Sequence, residues 1–184
     1  MPNTITHIGA GAFSSLNSLK TLNLPDSVVE IGAAAFMNYR GDGDMQVEIN
    51  ELPSSLTSIG YAALQSAGPN IHISKIPAGI RFIPWGTFAQ LPNCKISSFG
   101  GILEEIGDGA FQNSGGGDWG PDIERIEIHP SVTTIGANAF DRYAEYTLKV
   151  AAFAKYDASN DGAYGATYSE MGLDPDRVDL EALI

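Results

Sequence analysis

The sequence predicts an α/β solenoid, a stack of about six similar coils, and three observations support this fold class. An Ile recurs at separations of 23, 28, 24, 23 and 29 residues, each time with an apolar residue three positions before it and another five positions after it. A small residue always precedes the second apolar residue, and a segment with strand-like alternation precedes several of these units. Self-similarity with such a period is typical of supersecondary units that stack around one continuous core.

Four positions of the repeat recur in every coil, and we number them relative to the Ile. The recurring Ile residues are Ile8, Ile31, Ile59, Ile83, Ile106 and Ile135. The apolar residues three positions upstream are Ile5, Val28, Leu56, Ile80, Leu103 and Val132. The apolar residues five positions downstream are Phe13, Phe36, Leu64, Phe88, Phe111 and Phe140. The small residues are Ala12, Ala35, Ala63, Thr87, Ala110 and Ala139.

The second repeat illustrates the elements of one coil. Residues 19–24 have the pattern LxxLxL, which alternates apolar and polar side chains as a half-buried strand does, and Pro25 ends that strand. Residues 28–31 predict a second, shorter extended segment, and Gly32 permits a turn into the element that carries Phe36. Each coil is therefore expected to have two sheet-forming sides and an interior of Ile, Leu and Phe. Coils that stack in parallel lie about 4.8 Å apart.

The repeat resembles that of the BspA-type leucine-rich repeat family, whose unit reads roughly LxxIxIPxSVTxIGxxAFxxC. The match is close in residues 19–36 (LKTLNLPDSVVEIGAAAF) and 123–140 (IERIEIHPSVTTIGANAF), and it extends from residue 2 to about residue 150. The resemblance implies a leucine-rich repeat right-handed coil with short parallel strands. It also implies a surface-displayed module for adhesion to host or extracellular-matrix proteins or to other cells, and hence an extracellular or cell-surface location.

Three residues depart from the family pattern. Gly100 stands where other repeats have Pro, Pro84 replaces the Gly after the Ile, and Leu64 replaces the Phe. Each replacement keeps either the volume or the turn character of the position. We therefore expect the fold to tolerate all three.

The repeat pattern divides the chain into a leucine-rich repeat solenoid over residues 1–150 and a C-terminal capping segment over residues 151–184. In the capping segment, residues 151–156 are predicted to be helical. Asp174 and Pro175 are predicted to begin a second helix that carries Val178, Leu180 and Leu183. Residues 2–9 align with residues 25–32, so the first repeat begins at its middle and is expected to be uncapped, with self-association through this end as a consequence.

Composition excludes several classes of partner. The chain has 10 Lys and Arg against 22 Asp and Glu, a formal net charge of -12, which argues against binding to nucleic acid or to an anionic membrane surface. No apolar run approaches the roughly 18 to 20 residues of a membrane-spanning helix, so no membrane insertion is expected. No signal peptide or anchor is expected within this chain. With 43% hydrophobic residues and a mean hydropathy of -0.03, the chain can bury a continuous core.

No catalytic constellation or metal-binding motif emerges, so the chain is not expected to be an enzyme or to hold a cofactor. The glycines that follow the recurring Ile are explained by turn geometry and not by phosphate binding. The single cysteine, Cys94, falls at a strand position and is expected to be a small buried hydrophobic residue. The histidines His7, His72 and His129 occupy different repeats, without a second ligand at metal spacing.

The first candidate binding surface is the edge formed by the long loops. The segment between the Phe position and the next strand varies from 11 to 17 residues, and insertions on one face of a repeat protein often mark the binding side. Arg40, Gly41 and Asp42 form the tripeptide that integrins recognise; the alternative is a polar turn rich in Gly and Asp. Trp85 either extends this edge or packs beneath a turn. The loop-edge candidates are Tyr39, Arg40, Gly41, Asp42, Trp119 and Trp85.

The second candidate surface is the polar strip on the long-strand side of the coils. Its residues are Gln46, Glu48, His72, Lys95, Arg125 and Glu127. The strip is mixed in charge and lacks aromatic anchors, which makes it the weaker candidate for tight binding. Two Asp-rich loops, residues 42–44 and 157–162, have too few carboxylates in the right places to predict a calcium site.

Two functions remain open at this point. The resemblance favours a non-catalytic protein-binding module for surface adhesion. The alternative is a structural or assembly subunit, for example of a viral particle or envelope, that docks through the uncapped N-terminal end. Fold alone does not decide between them.

Overall fold

The computed structural model describes residues 1–16, 22–38, 48–96, 98–99, 101–114, 125–129, 131–140, 147–151 and 178–181. Within these residues the chain forms short strands and no helix. The strands are β1 His7–Ile8, β2 Glu30–Ile31, β3 Ser58–Ile59, β4 Phe82–Ile83, β5 Ser98–Phe99, β6 Glu105–Ile106, β7 Arg125–Ile128, β8 Thr134–Ile135, β9 Thr147–Ala151 and β10 Val178–Glu181.

All strand pairs are parallel, and they form three sheets of order β1-β2-β3, β4-β6-β8 and β10-β9-β7-β5. In the first two sheets the recurring Ile residues are paired: Ile8 with Ile31, Ile31 with Ile59, Ile83 with Ile106, and Ile106 with Ile135. On the long-strand side, Ile49 pairs with Ile71, and Ile73 pairs with Cys94. The predicted short parallel strands, paired between repeats, are confirmed.

The predicted core positions are buried, except in the first repeat, where Ile5 and Phe13 are half-buried and Ala12 is exposed. All six recurring Ile are buried, and so are Leu64 and Cys94, as the sequence predicts. The stacked ring pairs are Phe13–Phe36, Phe88–Phe111 and Phe111–Phe140, with centroids 5.2, 5.2 and 5.5 Å apart. Phe99, from the long-strand side, meets Phe111 edge-on at 5.1 Å. Aromatic packing therefore links the two sides of the coil as well as successive repeats.

The helical part of the predicted fold class is wrong for the described residues, because the segment from the Gly to the Phe forms successive turns. In the first repeat, Ala12 N–H donates to Gly9 O, three residues back, whereas Phe13 N–H donates to Ala35 O of the next repeat at 2.7 Å. The same alternation recurs in the following repeats. An α-helix needs every N–H for a bond four residues back. Here every second N–H is used between coils.

A left-handed residue fixes this turn in each coil. The residue three positions after each recurring Ile has a positive φ; these residues are Gly11, Ala34, Ala62, Gly86, Gly109 and Asn138, with φ of 64, 52, 51, 63, 58 and 54°. A residue in this conformation interrupts a right-handed helix. Local geometry thus excludes the helix independently of the hydrogen bonds.

The end of the chain also differs from the prediction. Residues 178–181 form strand β10, which pairs in parallel with β9 from Val178–Leu148 to Glu181–Ala151. The predicted second helix is therefore wrong at these residues. Val178 and Leu180 are two positions apart. This spacing places both side chains on one face of a strand, so it is as compatible with a strand as with the predicted helix. The helix predicted at residues 151–156 lies outside the described residues except for Ala151, which belongs to β9.

Pro84 keeps the expected turn, in which Thr87 N donates to Pro84 O at 3.4 Å, but it removes one hydrogen bond between repeats. The other boundaries have a hydrogen bond from the Gly after the Ile to the previous coil, for example Gly60 N to Ile31 O at 2.8 Å. Proline has no N–H to donate. In the described part of the chain, β3 and β4 accordingly form no ladder, and the two three-stranded sheets meet at this boundary. The Thr87 hydroxyl lies 2.8 Å from Pro84 O and 3.3 Å from Gly60 O, so it bridges the two coils there.

The close approach of adjacent coils predicts a large difference between two identical substitutions. A Cβ added at Gly60 would lie 2.3 Å from Ala33 N, whereas a Cβ at Gly9 would meet no atom within 4 Å. We expect Gly60→Ala to lower the free energy of unfolding by about 3 kcal/mol or more, because the coils must separate. Gly9→Ala should leave it unchanged or raise it by up to about 1 kcal/mol. Urea unfolding of both variants gives the comparison, and equal stability would contradict the stacking distance.

The ring stack predicts that Phe111 is a main contributor to stability. It is fully buried and contacts three other Phe rings. Phe111→Ala should cost about 3 to 5 kcal/mol of unfolding free energy, because it opens a cavity shared by neighbouring repeats. Phe82→Ala, at a half-exposed ring, is the matched control and should cost less than about 1 kcal/mol. A loss below about 1 kcal/mol for Phe111→Ala, measured by the same denaturation, would mean that the repeat register is wrong.

Candidate protein-binding surface

Three large aromatic side chains are exposed on neighbouring repeats where the two sheets meet. Tyr61 is 58% exposed, Phe82 50% and Trp85 52%. Rings of this size leave roughly 300 Å² of mostly apolar surface in contact with solvent. A patch of this area is the largest on many monomeric proteins and is often functional. We call these three residues the aromatic patch.

The repeat architecture does not require aromatic residues at these positions. Tyr61 and Trp85 lie two positions after the recurring Ile, where the six repeats have Ala10, Ala33, Tyr61, Trp85, Asp108 and Ala137. Phe82 lies one position before it, where the repeats have His7, Glu30, Ser58, Phe82, Glu105 and Thr134. Small or polar residues occupy all the other places in both columns. The aromatic patch is therefore a property of two repeats and not of the fold.

Backbone pairing brings the patch together. Ala62 N donates to Trp85 O at 2.8 Å, so Tyr61 and Trp85 lie side by side on adjacent coils. Phe82 lies three residues before Trp85 on the same coil. Because the spacing of adjacent strands is about 4.8 Å, aromatic side chains on neighbouring coils fall within reach of one ligand.

Charged side chains border the patch on its repeat-five side. The Arg81 guanidinium lies over the Phe82 ring, 5.6 Å from its centroid, and pairs with the Glu104 carboxylate. Phe82 pairs in register with Glu105, and Gly86 N donates to Asp108 O at 3.0 Å, which places Asp108 beside Trp85. Asp108 Oδ1 accepts a hydrogen bond from Ala137 N at 2.9 Å. The exposed Arg81–Glu104 pair contributes at most about 1 kcal/mol to stability.

Of the loop-edge candidates, only Trp85 lies within the described residues. Its exposure favours a surface role over packing beneath the turn, and its position directly after β4 places it in the aromatic patch. Tyr39, Arg40, Gly41, Asp42 and Trp119 lie outside the described residues, as do both Asp-rich loops.

The long-strand strip is described in part. Glu48 is exposed and accepts a hydrogen bond from Asn50 Nδ2 at 2.9 Å. His72 and Lys95 are half-buried, Arg125 and Glu127 lie on β7 with Glu127 in register with Ser98, and Gln46 is outside the described residues. The sequence missed Glu51, whose carboxylate accepts a hydrogen bond from Ser74 N at 3.3 Å. Neighbouring polar groups thus already satisfy part of this strip.

Sequence analysis missed Tyr61 and Phe82, although a signal for them is present. Both stand out once the repeats are aligned on the recurring Ile and the columns beside it are compared. The patch forms because two consecutive coils have aromatic residues at positions that are small or polar in the others. Only a comparison of each position across all six repeats reveals this.

Two kinds of feature are absent from the part of the chain that the structure describes. There, no three His, Cys, Asp or Glu residues come together as a metal site, and no helix is long and apolar enough to cross a membrane. His7 Nε2 lies 3.7 Å from the Glu30 carboxylate, and His129 Nδ1 lies 3.1 Å from the Ser131 hydroxyl. Both histidines are exposed side chains with local partners.

Comparison with known proteins identifies the repeat. A solved leucine-rich repeat protein from Bacteroides ovatus is 21% identical to this chain, with a TM-score of 0.41 over 82% of this chain and 48% of the other. The chain thus spans about half the length of that protein. No curated protein matches significantly in sequence. The profile of the BspA type leucine rich repeat region matches residues 1–116 and 43–147 with six copies. Its six copies agree with the six coils set by the recurring Ile, and this chain belongs to the BspA-type leucine-rich repeat family.

Proposed function

We propose that this chain is a non-catalytic protein-binding module that serves adhesion at a cell surface, to host or extracellular-matrix proteins or to other cells. The observation that carries the proposal is the aromatic patch, which lies at two repeat positions where all the other repeats have small or polar residues. Membership of a family of interaction repeats supports protein binding. The adhesive role and the extracellular or cell-surface location come from the family resemblance.

The energetics of the patch suit a binding anchor. Binding hot spots are enriched in Trp, Tyr and Arg, and truncating one typically costs 2 kcal/mol or more (about 30-fold). Tyr61 and Trp85 are held on a backbone that hydrogen bonds to the neighbouring coil, so their positions are fixed before a partner arrives. Such preorganisation reduces the entropy lost on binding.

The proposal includes a right-handed solenoid with two binding faces. Crossover connections between parallel strands are right-handed in nearly all proteins, which supports this hand for the coils. The aromatic patch lies on the short-strand side. The loop edge with Tyr39, Arg40, Gly41, Asp42 and Trp119 remains a second proposed face, and self-association through residues 1–9 remains a proposed alternative to adhesion.

An adhesion assay with a double variant tests the proposal. Beads that carry the protein are applied to immobilised fibronectin, laminin and collagen and to an epithelial cell layer. Tyr61→Ala with Trp85→Ala should reduce attachment at least about tenfold, because two anchors are lost. The unfolding free energy should change by less than about 0.5 kcal/mol per site, because Ala already occupies this column at residues 10, 33 and 137.

Leu16→Ala is the matched control, since Leu16 is also an exposed large apolar residue but lies in the first repeat. It should attach as well as the unmodified protein. If the unmodified protein attaches to nothing in the panel and sediments as an oligomer, the assembly role replaces adhesion. If attachment survives in the double variant, Arg40→Ala with Trp119→Ala then tests the loop edge.

A further inference from the structure

We infer that the aromatic patch binds an extended, arginine-bearing segment of a partner protein. This inference rests on the proposed protein-binding function and names the chemistry of the partner. Two observations support it. Phe82 and Trp85, the patch rings on repeat four, each lie next to an acidic residue on repeat five. Arg81 of this chain already contacts both an aromatic ring and a carboxylate of the next repeat.

The first step is the placement of carboxylates beside rings. Phe82 pairs in register with Glu105, and Trp85 lies next to Asp108 through the hydrogen bond from Gly86 N to Asp108 O. Neither carboxylate forms an ion pair with a described residue. A planar guanidinium stacks on an aromatic face and donates to a carboxylate from its edge, which an ammonium group cannot do in the same way. A ring with a carboxylate on the next coil can therefore bind arginine both by stacking and by hydrogen bonding.

The second step is an example within the molecule. Arg81 lies over Phe82 at 5.6 Å and pairs with Glu104 of the next repeat. Ring, guanidinium and carboxylate thus meet across one coil boundary in this structure. Among the described side chains, none places a cation over Tyr61 or Trp85 in the same manner. Trp85 likewise has a carboxylate residue, Asp108, on the next coil. Its Oδ1 accepts a hydrogen bond from Ala137 N, and no described residue donates to its second oxygen, which a guanidinium from outside can use.

The third step is charge. The described residues around the patch include Glu30, Glu104, Glu105 and Asp108 against the single cation Arg81, and the whole chain has a formal net charge of -12. A cationic segment is attracted to this surface, and an acidic one is repelled. In an extended segment, alternate side chains point the same way about 7 Å apart, so two arginines two positions apart can reach neighbouring rings.

Fluorescence titration tests this chemistry. The chain has two Trp, so Trp119→Phe leaves Trp85 as the reporter. The probe is a synthetic peptide of alternating Arg and Thr with five residues, and its control contains citrulline, the neutral isostere of arginine. We expect the Arg peptide to change Trp85 fluorescence and to bind at least about tenfold more tightly than the citrulline peptide, since only arginine supplies the charge. A Lys peptide should bind with intermediate affinity.

A charge-matched pair of variants separates a specific site from general attraction. Glu105→Gln with Asp108→Asn should weaken the Arg peptide about tenfold. Asn at residue 108 keeps an oxygen for the bond from Ala137 N. Glu48→Gln with Glu51→Gln removes the same charge from the long-strand side and should weaken binding by less than about twofold. Equal weakening by both pairs, equal binding of Arg and citrulline peptides, or no binding of the Arg peptide up to about 5 mM overturns the inference.

The outcomes distinguish this inference from the proposed function. If the double aromatic variant loses adhesion but the Arg peptide shows no preference over citrulline, the patch binds proteins through apolar contacts and the arginine chemistry is wrong. If citrulline and Arg peptides bind equally well through Trp85, stacking without charge is the mechanism. If neither adhesion nor peptide binding depends on Trp85, both the proposed function at this patch and the inference fail.

Discussion

The backbone hydrogen bond between adjacent coils is the constraint on which the rest of this structure depends. Every second N–H in the turn segment is donated to the next repeat, as from Phe36 to Ala63 O at 2.8 Å, and the N–H groups between them close turns within the coil. This division excludes a helix and requires a left-handed residue in each coil. It also brings backbones so close that a Cβ at Gly60 or Gly136 would lie within 2.5 Å of the preceding coil.

The same hydrogen bonds explain how residues at a single position of the repeat can form a surface. Because backbone pairing places equivalent residues side by side, unusual residues in two consecutive repeats lie next to each other on the surface. Tyr61 and Trp85 do so at the one described boundary where Pro84 interrupts the short-strand ladder. The coils stay together there through the turn segment, where Ala62, Leu64 and Ser66 still donate to the next repeat, and through the Thr87 hydroxyl. Backbone hydrogen bonds between repeats three and four therefore hold Tyr61 and Trp85, which lie on the turn side of Pro84. Phe82 lies on the strand side, where β3 and β4 form no ladder.

The periodicity of the sequence predicts which residues form the core, but it does not predict the local backbone geometry. Burial of the Ile and Phe columns follows from the repeat, because a position that is apolar in every coil has to face the shared interior. The turns could not be predicted as such, since Gly-Ala-Ala-Ala-Phe is also compatible with a helix and only the bonds between coils decide. Strand β10 was missed because Asp174 and Pro175 resemble a helix start, whereas pairing with β9 is a long-range contact. The hydrogen bond lost at Pro84 could not be predicted locally, because the equivalent acceptor is the Ile59 carbonyl, 25 residues earlier in the chain.

The candidate site was the least predictable part because its residues are exceptions to the repeat. Periodicity identifies what all coils share, and a binding surface is formed by what two coils do not share. The columns one position before and two positions after the Ile contain residues as different as Ala, Asp, Glu, His and Trp while the Ile between them never changes. Because these columns point away from the core, a substitution there changes the surface with little effect on stability. Recognition can therefore vary on this fold independently of the hydrogen bonds that hold the coils together.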